Sequence, residues 1–170
     1  MAAVAERILA VIESRLDEIS KANGYPIDAV VHRATRATTT SPVDNAIYVS
    51  MEELTPNPNN SYPSNPPVQG WDMVVRCSMI ATPAETSSTP ADAFRLEAYT
   101  AMSQAITDAT AWYRFTETAG DPPVATNLAI NAMIETPERM VNAEQGQVGM
   151  HLMVRVMFRT SEGDPEAVRS

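Results

Sequence analysis

The chain has 170 residues and a formal net charge of −9, from 12 Lys and Arg against 21 Asp and Glu. That length suits one domain with its own core, and 44% apolar with 19% charged residues is a globular composition, not a disordered one. The acidic balance speaks against a groove that grips nucleic-acid phosphates, and the single Cys77 with two histidines excludes a disulfide and supplies too few ligands for a structural zinc site.

Residues 3–22 carry the clearest helical period. Val4, Ile8, Val11, Ile12, Leu16 and Ile19 form one stripe, and Glu6, Arg7, Glu13, Asp17, Glu18 and Lys21 fill the other face. Asn23-Gly24 offers a left-handed stop and Pro26 keeps the helix from resuming. The charges of this segment rule it out as a secretory signal, and no apolar stretch approaches the ~20 residues of a membrane span.

A first strand is expected within residues 27–40, around Val30 and Val31, broken by Ser41-Pro42. Residues 45–53 alternate Ile47, Val49 and Met51 with Tyr48, Ser50 and Glu52, the period of a half-buried strand. Residues 55–70 hold five prolines, which supply no amide donors, so a long loop is expected there. The next strand spans residues 71–81, where both faces are largely apolar and a central position in the sheet follows.

Thr89-Pro90 opens a second helix over residues 90–113, with Phe94, Ala98, Ala101, Met102, Ala105, Ile106 and Ala109 on its buried stripe. Residues 116–125, with Gly120, Pro122 and Pro123, read as a loop. Residues 127–135 and 147–160 alternate as strands, the last being the longest and most regular, and residues 161–170 form a polar tail. The expected fold is a single α+β domain over residues 1–170. An antiparallel or mixed sheet carries two helices packed on one face, in the order α-β-β-β-α-β-β.

The chain offers no catalytic template: no G-x-S-x-G, no H-E-x-x-H, no phosphate loop and no dinucleotide fingerprint. Gly146 and Gly149 read as turn residues at a strand start, and Cys77 as a buried, inert thiol. His32 and His151 alternate with apolar neighbours, which places each on the solvated face of its strand, and Glu52 and Glu53, being adjacent in a strand, point apart. No catalytic, metal-binding or cofactor-binding residue is expected. Met153 and Met157, however, lie on the nominally polar face of the last strand, which points to burial against another subunit. Asn57, Asn60, Tyr62 and Trp71, in and beside the proline-rich loop, complete the set of candidate interface residues. That loop is expected to project from the sheet towards a partner.

The order of elements and several landmarks resemble the tail terminator (tail completion) proteins of tailed bacteriophages. The landmarks are Asn23-Gly24-Tyr25 after the first helix, Val30-Val31-His32-Arg33, and Pro42 before Asn45-Ala46-Ile47-Tyr48-Val49. The closing run Val154-Arg155-Val156-Met157-Phe158-Arg159-Thr160 with Asp164-Pro165 is the most telling. The resemblance implies a structural virion protein of the tail neck, assembled in the cytoplasm of a host bacterium. Six copies would form a ring that caps the tail tube, stops its polymerisation and joins the head. Its partners would be itself, the tail tube protein, the head–tail connector or stopper and, in a contractile tail, the sheath. DNA would pass through an acidic bore without specific binding. Two other readings are another neck ring protein, and a small-molecule-binding α+β domain or enzyme that uses His32 or His151 with a carboxylate.

Overall fold

A computed structural model describes residues 3–33, 46–81, 90–119, 121–142 and 147–169. The expected break at Ser41-Pro42, the Thr89 cap and Gly146 lie outside the described residues.

The first helix, α1, spans Val4–Leu16 and buries Val4, Ile8, Ile12 and Leu16 of the expected stripe, with Val11 only partly buried and Ala5 and Leu9 buried beside them. It ends earlier than its apolar period because the chain re-closes at Ser20, whose side chain accepts the Asn23 amide of a short 3-10 turn, Lys21–Asn23. Gly24 then takes the left-handed conformation at φ 88°, as the Asn-Gly pair predicts.

The main sheet is built on two long central strands, β3 (Val68–Ala81) and β8 (Gln147–Ser161), antiparallel and paired over all 14 residues of β3. Strand β2 (Ala46–Pro56) pairs antiparallel with β3, and β1 (Val30–Arg33) joins β2 in parallel. The far edge of β8 is shared by β6 (Asn131–Ile134), β7 (Glu138–Asn142) and β9 (Asp164–Val168). Strands β4 (Thr116–Ala119) and β5 (Val124–Asn127) form a separate hairpin. Helix α2 spans Ala91–Thr107.

The register aligns Val49, Cys77 and Leu152 across three strands, and with them Ile47, Met79 and Met150. These side chains join the buried stripes of α1 and α2 in one core cluster. Of the stripe expected on the second helix, Ala98, Ala101, Met102, Ala105 and Ile106 are buried, Phe94 packs partly against the core, and Ala109 is exposed beyond the helix end. Arg15 closes that end: its Nη1 donates to the carbonyls of Ile106 at 2.8 Å and Trp112 at 3.1 Å, and its guanidinium lies 4.9 Å from the centroid of the buried Phe115 ring.

The α+β class stands, but the element order is richer than expected. The segment expected as a loop over residues 116–125 carries β4 and the start of β5, paired as a hairpin, with Pro122 and Pro123 in the turn between them; Gly120 lies outside the described residues. The polar tail contains β9, turned back on β8 through Gly163 at φ 77°. The 127–135 strand shrinks to β6, and β7 follows it. The 55–70 loop is shorter at both ends, since β2 runs to Pro56 and β3 starts at Val68. Proline is accommodated there because the amide of Asn57, not of Pro56, donates across the ladder, to the Gly70 carbonyl at 2.8 Å.

Candidate interaction face

Strand alternation sends one set of side chains away from the core. Tyr48 and Ser50 of β2, Asp72, Val74, Arg76 and Ser78 of β3, and His151, Met153, Arg155 and Met157 of β8 share this second face. Met133 of β6 joins it opposite Arg155 and is 47% exposed. The apolar members Val74, Met133, Met153 and Met157 thus lie among polar neighbours. Two ion pairs flank them, Arg76–Glu52 at 2.8 Å and Arg155–Glu135 at 2.7 Å. Both are partly exposed, so each contributes little stability, but each neutralises a charge beside the methionines. The Glu135 hydrogen bond raises the Arg155 pKa further.

One end of this face is covered by the proline-rich loop, which folds back instead of projecting. Asn57 Nδ2 donates to the Asp72 carboxylate at 2.9 and 3.0 Å, and the Asn60 carbonyl accepts from Arg159 Nε at 3.1 Å. Asn60 Nδ2 lies 3.5 Å from Met157 Sδ, and Tyr62 sits under the Arg159 guanidinium at 5.3 Å while remaining 41% exposed. The fold-back needs Gly70, where a Cβ would come within 2.6 Å of Asn60 Cβ and 2.7 Å of the Asn57 carbonyl oxygen. Asn57, Asn60, Tyr62 and Met157 are therefore gathered at one end of the face, and Met153 lies further along β8 on the same side. Trp71 is not with them. It alternates with Asp72, packs against the core, and donates Nε1 to Thr160 Oγ1 at 3.0 Å.

Sequence reasoning missed Met133 and the two ion pairs. Met133 carried a usable signal, because it alternates against Ala132 and Ile134; the pairs depend on cross-strand register, which periodicity does not give.

His32 stacks on Tyr48 with ring centroids 5.6 Å apart, and His151 Nδ1 lies 2.7 Å from Ser78 Oγ. Burial and the nearby Arg76 lower the His151 pKa, against smaller opposing effects of Glu138 and Glu52. Among the described residues neither histidine hydrogen-bonds a carboxylate that would orient it as a base. Cys77 is fully buried in the core, and its thiol pKa is pushed up to about 12, mainly by burial and also by Glu13, which suppresses the nucleophilic thiolate. Among the described residues no three His, Cys, Asp or Glu side chains are grouped to hold a metal ion. What this arrangement can do is bind another surface: an amphipathic sheet face with neutralised charges. No protein-family model matches the chain, and no curated protein matches it.

Proposed function

We propose that the chain is a structural virion subunit of the tail-terminator type: a ring protein that caps a tail tube, stops its growth and presents a docking surface to the head. The observation that carries this reading is the open sheet face. Met133 and Met153 leave partly exposed apolar surface beside the buried Val74, within ion-paired surroundings, the composition of a surface made to be covered. On this reading both helices cover the other face, and the open face meets a neighbouring virion subunit, the tube tip or the adjoining neck ring. The net charge of −9 per copy suits a bore through which DNA slides without sticking.

The test is the double substitution Met133→Glu and Met153→Glu. Both side chains are partly exposed, so the protein should fold with an unchanged far-UV spectrum. Particles carrying it should have tails of uncontrolled length or tails detached from heads. Normal tails joined to heads would refute the assignment of this face.

A further inference from the structure

A cavity of about 270 Å³ opens where the 3-10 turn Trp112–Arg114, the end of β5 and the residue after β9 meet. Arg114, Asn127 and Arg169 are its polar lining, and Ala129 and Ile130 supply the apolar wall. Thr116 Oγ1 donates to Asn127 Oδ1 at 2.8 Å, which leaves the Asn127 Nδ2 group as a donor. Arg169 commits Nε to Ser161 Oγ at 2.7 Å and keeps both Nη groups, while Arg114 lies over the Tyr113 ring at 5.7 Å from its centroid. Neither guanidinium has an ion-pair partner among the described residues, and Glu117 of the adjoining hairpin is already bound by Arg7. The side chains of this cavity thus present donors and no carboxylate.

The turn that carries Arg114 is bracketed by Ala111 at φ 54° and Phe115 at φ 45°, the two non-glycine residues with positive φ among the described residues. Such backbone is strained and persists only where its surroundings hold it. Here the Arg114 carbonyl accepts the amides of Leu128 at 3.1 Å and Ala129 at 2.9 Å, and the Phe115 ring is fully buried. The backbone of Arg114 and the apolar wall are therefore fixed to each other. Arg169, in turn, stands opposite Arg159, whose carbonyl accepts its amide at 3.1 Å, one step beyond the Thr160–Val168 pair. Like charges opposite each other on neighbouring strands destabilise a sheet. Arg114 brings one more guanidinium to the same cavity, in a chain whose net charge is −9.

We propose that this cavity binds a carboxylate from an acidic peptide segment of a partner protein. Arg114 and Arg169 grip the carboxylate and Asn127 Nδ2 completes the donor set. A planar guanidinium matches the two oxygens of a carboxylate, and charge-assisted bonds are the strong ones. Ala129 and Ile130 suit the methylene stem of an acidic side chain. A nucleic-acid backbone is the poorer fit: the net charge repels a polyanion, and these residues line one cavity, not a row of Lys and Arg that follows successive phosphates. The contact requires no second copy of the chain, so it stands or falls apart from the ring reading.

The experiment is isothermal titration calorimetry of the full chain with hexaglutamate, and separately with inorganic phosphate and a short DNA duplex. Wild type is compared with Arg114→Gln, Arg169→Gln and Arg139→Gln, the last an exposed arginine of β7 outside the cavity. Arg169→Gln also loses the bond to Ser161, so Arg169→Lys, which keeps the charge without the planar fork, serves if that variant does not fold. Thermal melts check each protein. The expected result is that hexaglutamate binds the wild type and loses at least about tenfold in affinity with Arg114→Gln or Arg169→Gln, the effect of one charge-assisted bond. Arg169→Lys should lose less, and Arg139→Gln should match the wild type. Unchanged affinity in folded cavity variants, or an equal loss in Arg139→Gln, overturns the site. Tighter binding of the duplex that depends on Arg114 and Arg169 assigns the cavity to nucleic acid and overturns the acidic segment. Phosphate binding without hexaglutamate binding overturns it in favour of a free anion, and no binding of any titrant at millimolar concentration overturns the cavity as an anion site.

Discussion

The close approach at Gly70 makes Gly70→Ala the sharpest probe of how the proline-rich segment is held. An added Cβ would meet Asn60 Cβ at 2.6 Å, the Asn57 carbonyl oxygen at 2.7 Å and the Asn60 carbonyl carbon at 2.7 Å. Two of these are backbone atoms, which cannot rotate away. Either the methyl group is forced in, at the ~1–3 kcal/mol typical of overpacking, or the 57–62 segment lifts. Lifting breaks the Asn57 amide to Gly70 carbonyl bond at 2.8 Å, the Gly70 amide to Ser61 Oγ bond at 2.9 Å and the Arg159 bond to Asn60. At ~1 kcal/mol for each hydrogen bond the two routes cost similar amounts. For a chain of this size that is a fall in Tm of roughly 3–10 °C, read by differential scanning calorimetry. Limited proteolysis should find new cleavage between residues 56 and 67. Gly163→Ala is the contrast, since Gly163 has φ 77° but open space around it, so only ~1 kcal/mol of backbone strain applies and no loop is released. A Gly70→Ala protein that melts within 1 °C of wild type (roughly the effect of a surface change) and resists protease equally would refute this picture of the loop.

Two further outcomes follow from single side chains. Arg15→Met keeps the apolar stem but removes the bonds to Ile106 in the last turn of α2 and to Trp112 in the 3-10 turn after it, and the contact with Phe115; a loss of about 2–3 kcal/mol in urea unfolding is expected, and one below ~0.5 kcal/mol would show the cap to be dispensable. The folded pKa of His151 is depressed, so the unfolded chain binds its proton more readily, and stability is full above the ordinary value of 6.5 and falls as pH drops below it. In His151→Gln that share of the acid-side decline should vanish, and identical Tm–pH profiles for variant and wild type between pH 7 and 5 would contradict the burial assigned to the ring.

Elements with a long, strict period were legible in the sequence. The stripe from Val4 to Leu16 gave α1, and the alternation through Val148, Met150, Leu152, Val154, Val156 and Phe158 gave β8 with its faces correctly sorted. Short elements were not, because their stability comes from the strand beside them. Asp164-Pro165-Glu166 looks like a solvated tail, yet β9 lies along the end of β8. Pro122 and Pro123 do mark a turn, but two β-branched residues on each side, Thr116 and Thr118 against Val124 and Thr126, were too few to announce the β4–β5 hairpin.

The candidate face was half legible. Met153 revealed itself by standing on the wrong face of a regular strand. The fold-back that brings Asn57, Asn60 and Tyr62 over Met157 depends on tertiary proximity to Gly70, which no local pattern carries. Trp71 misled because aromatic character alone does not tell which face of a strand a ring occupies; its register opposite Phe158 does.

The most direct test of the ring reading is electron microscopy of assembled particles in which the chain bears a gold-binding tag at its C-terminus. The label should appear as a ring of density at the head-proximal end of the tail tube, and disrupting the gene should give tubes of uncontrolled length without heads. Label absent from the particle, or tails of normal length joined to heads without the chain, would contradict it.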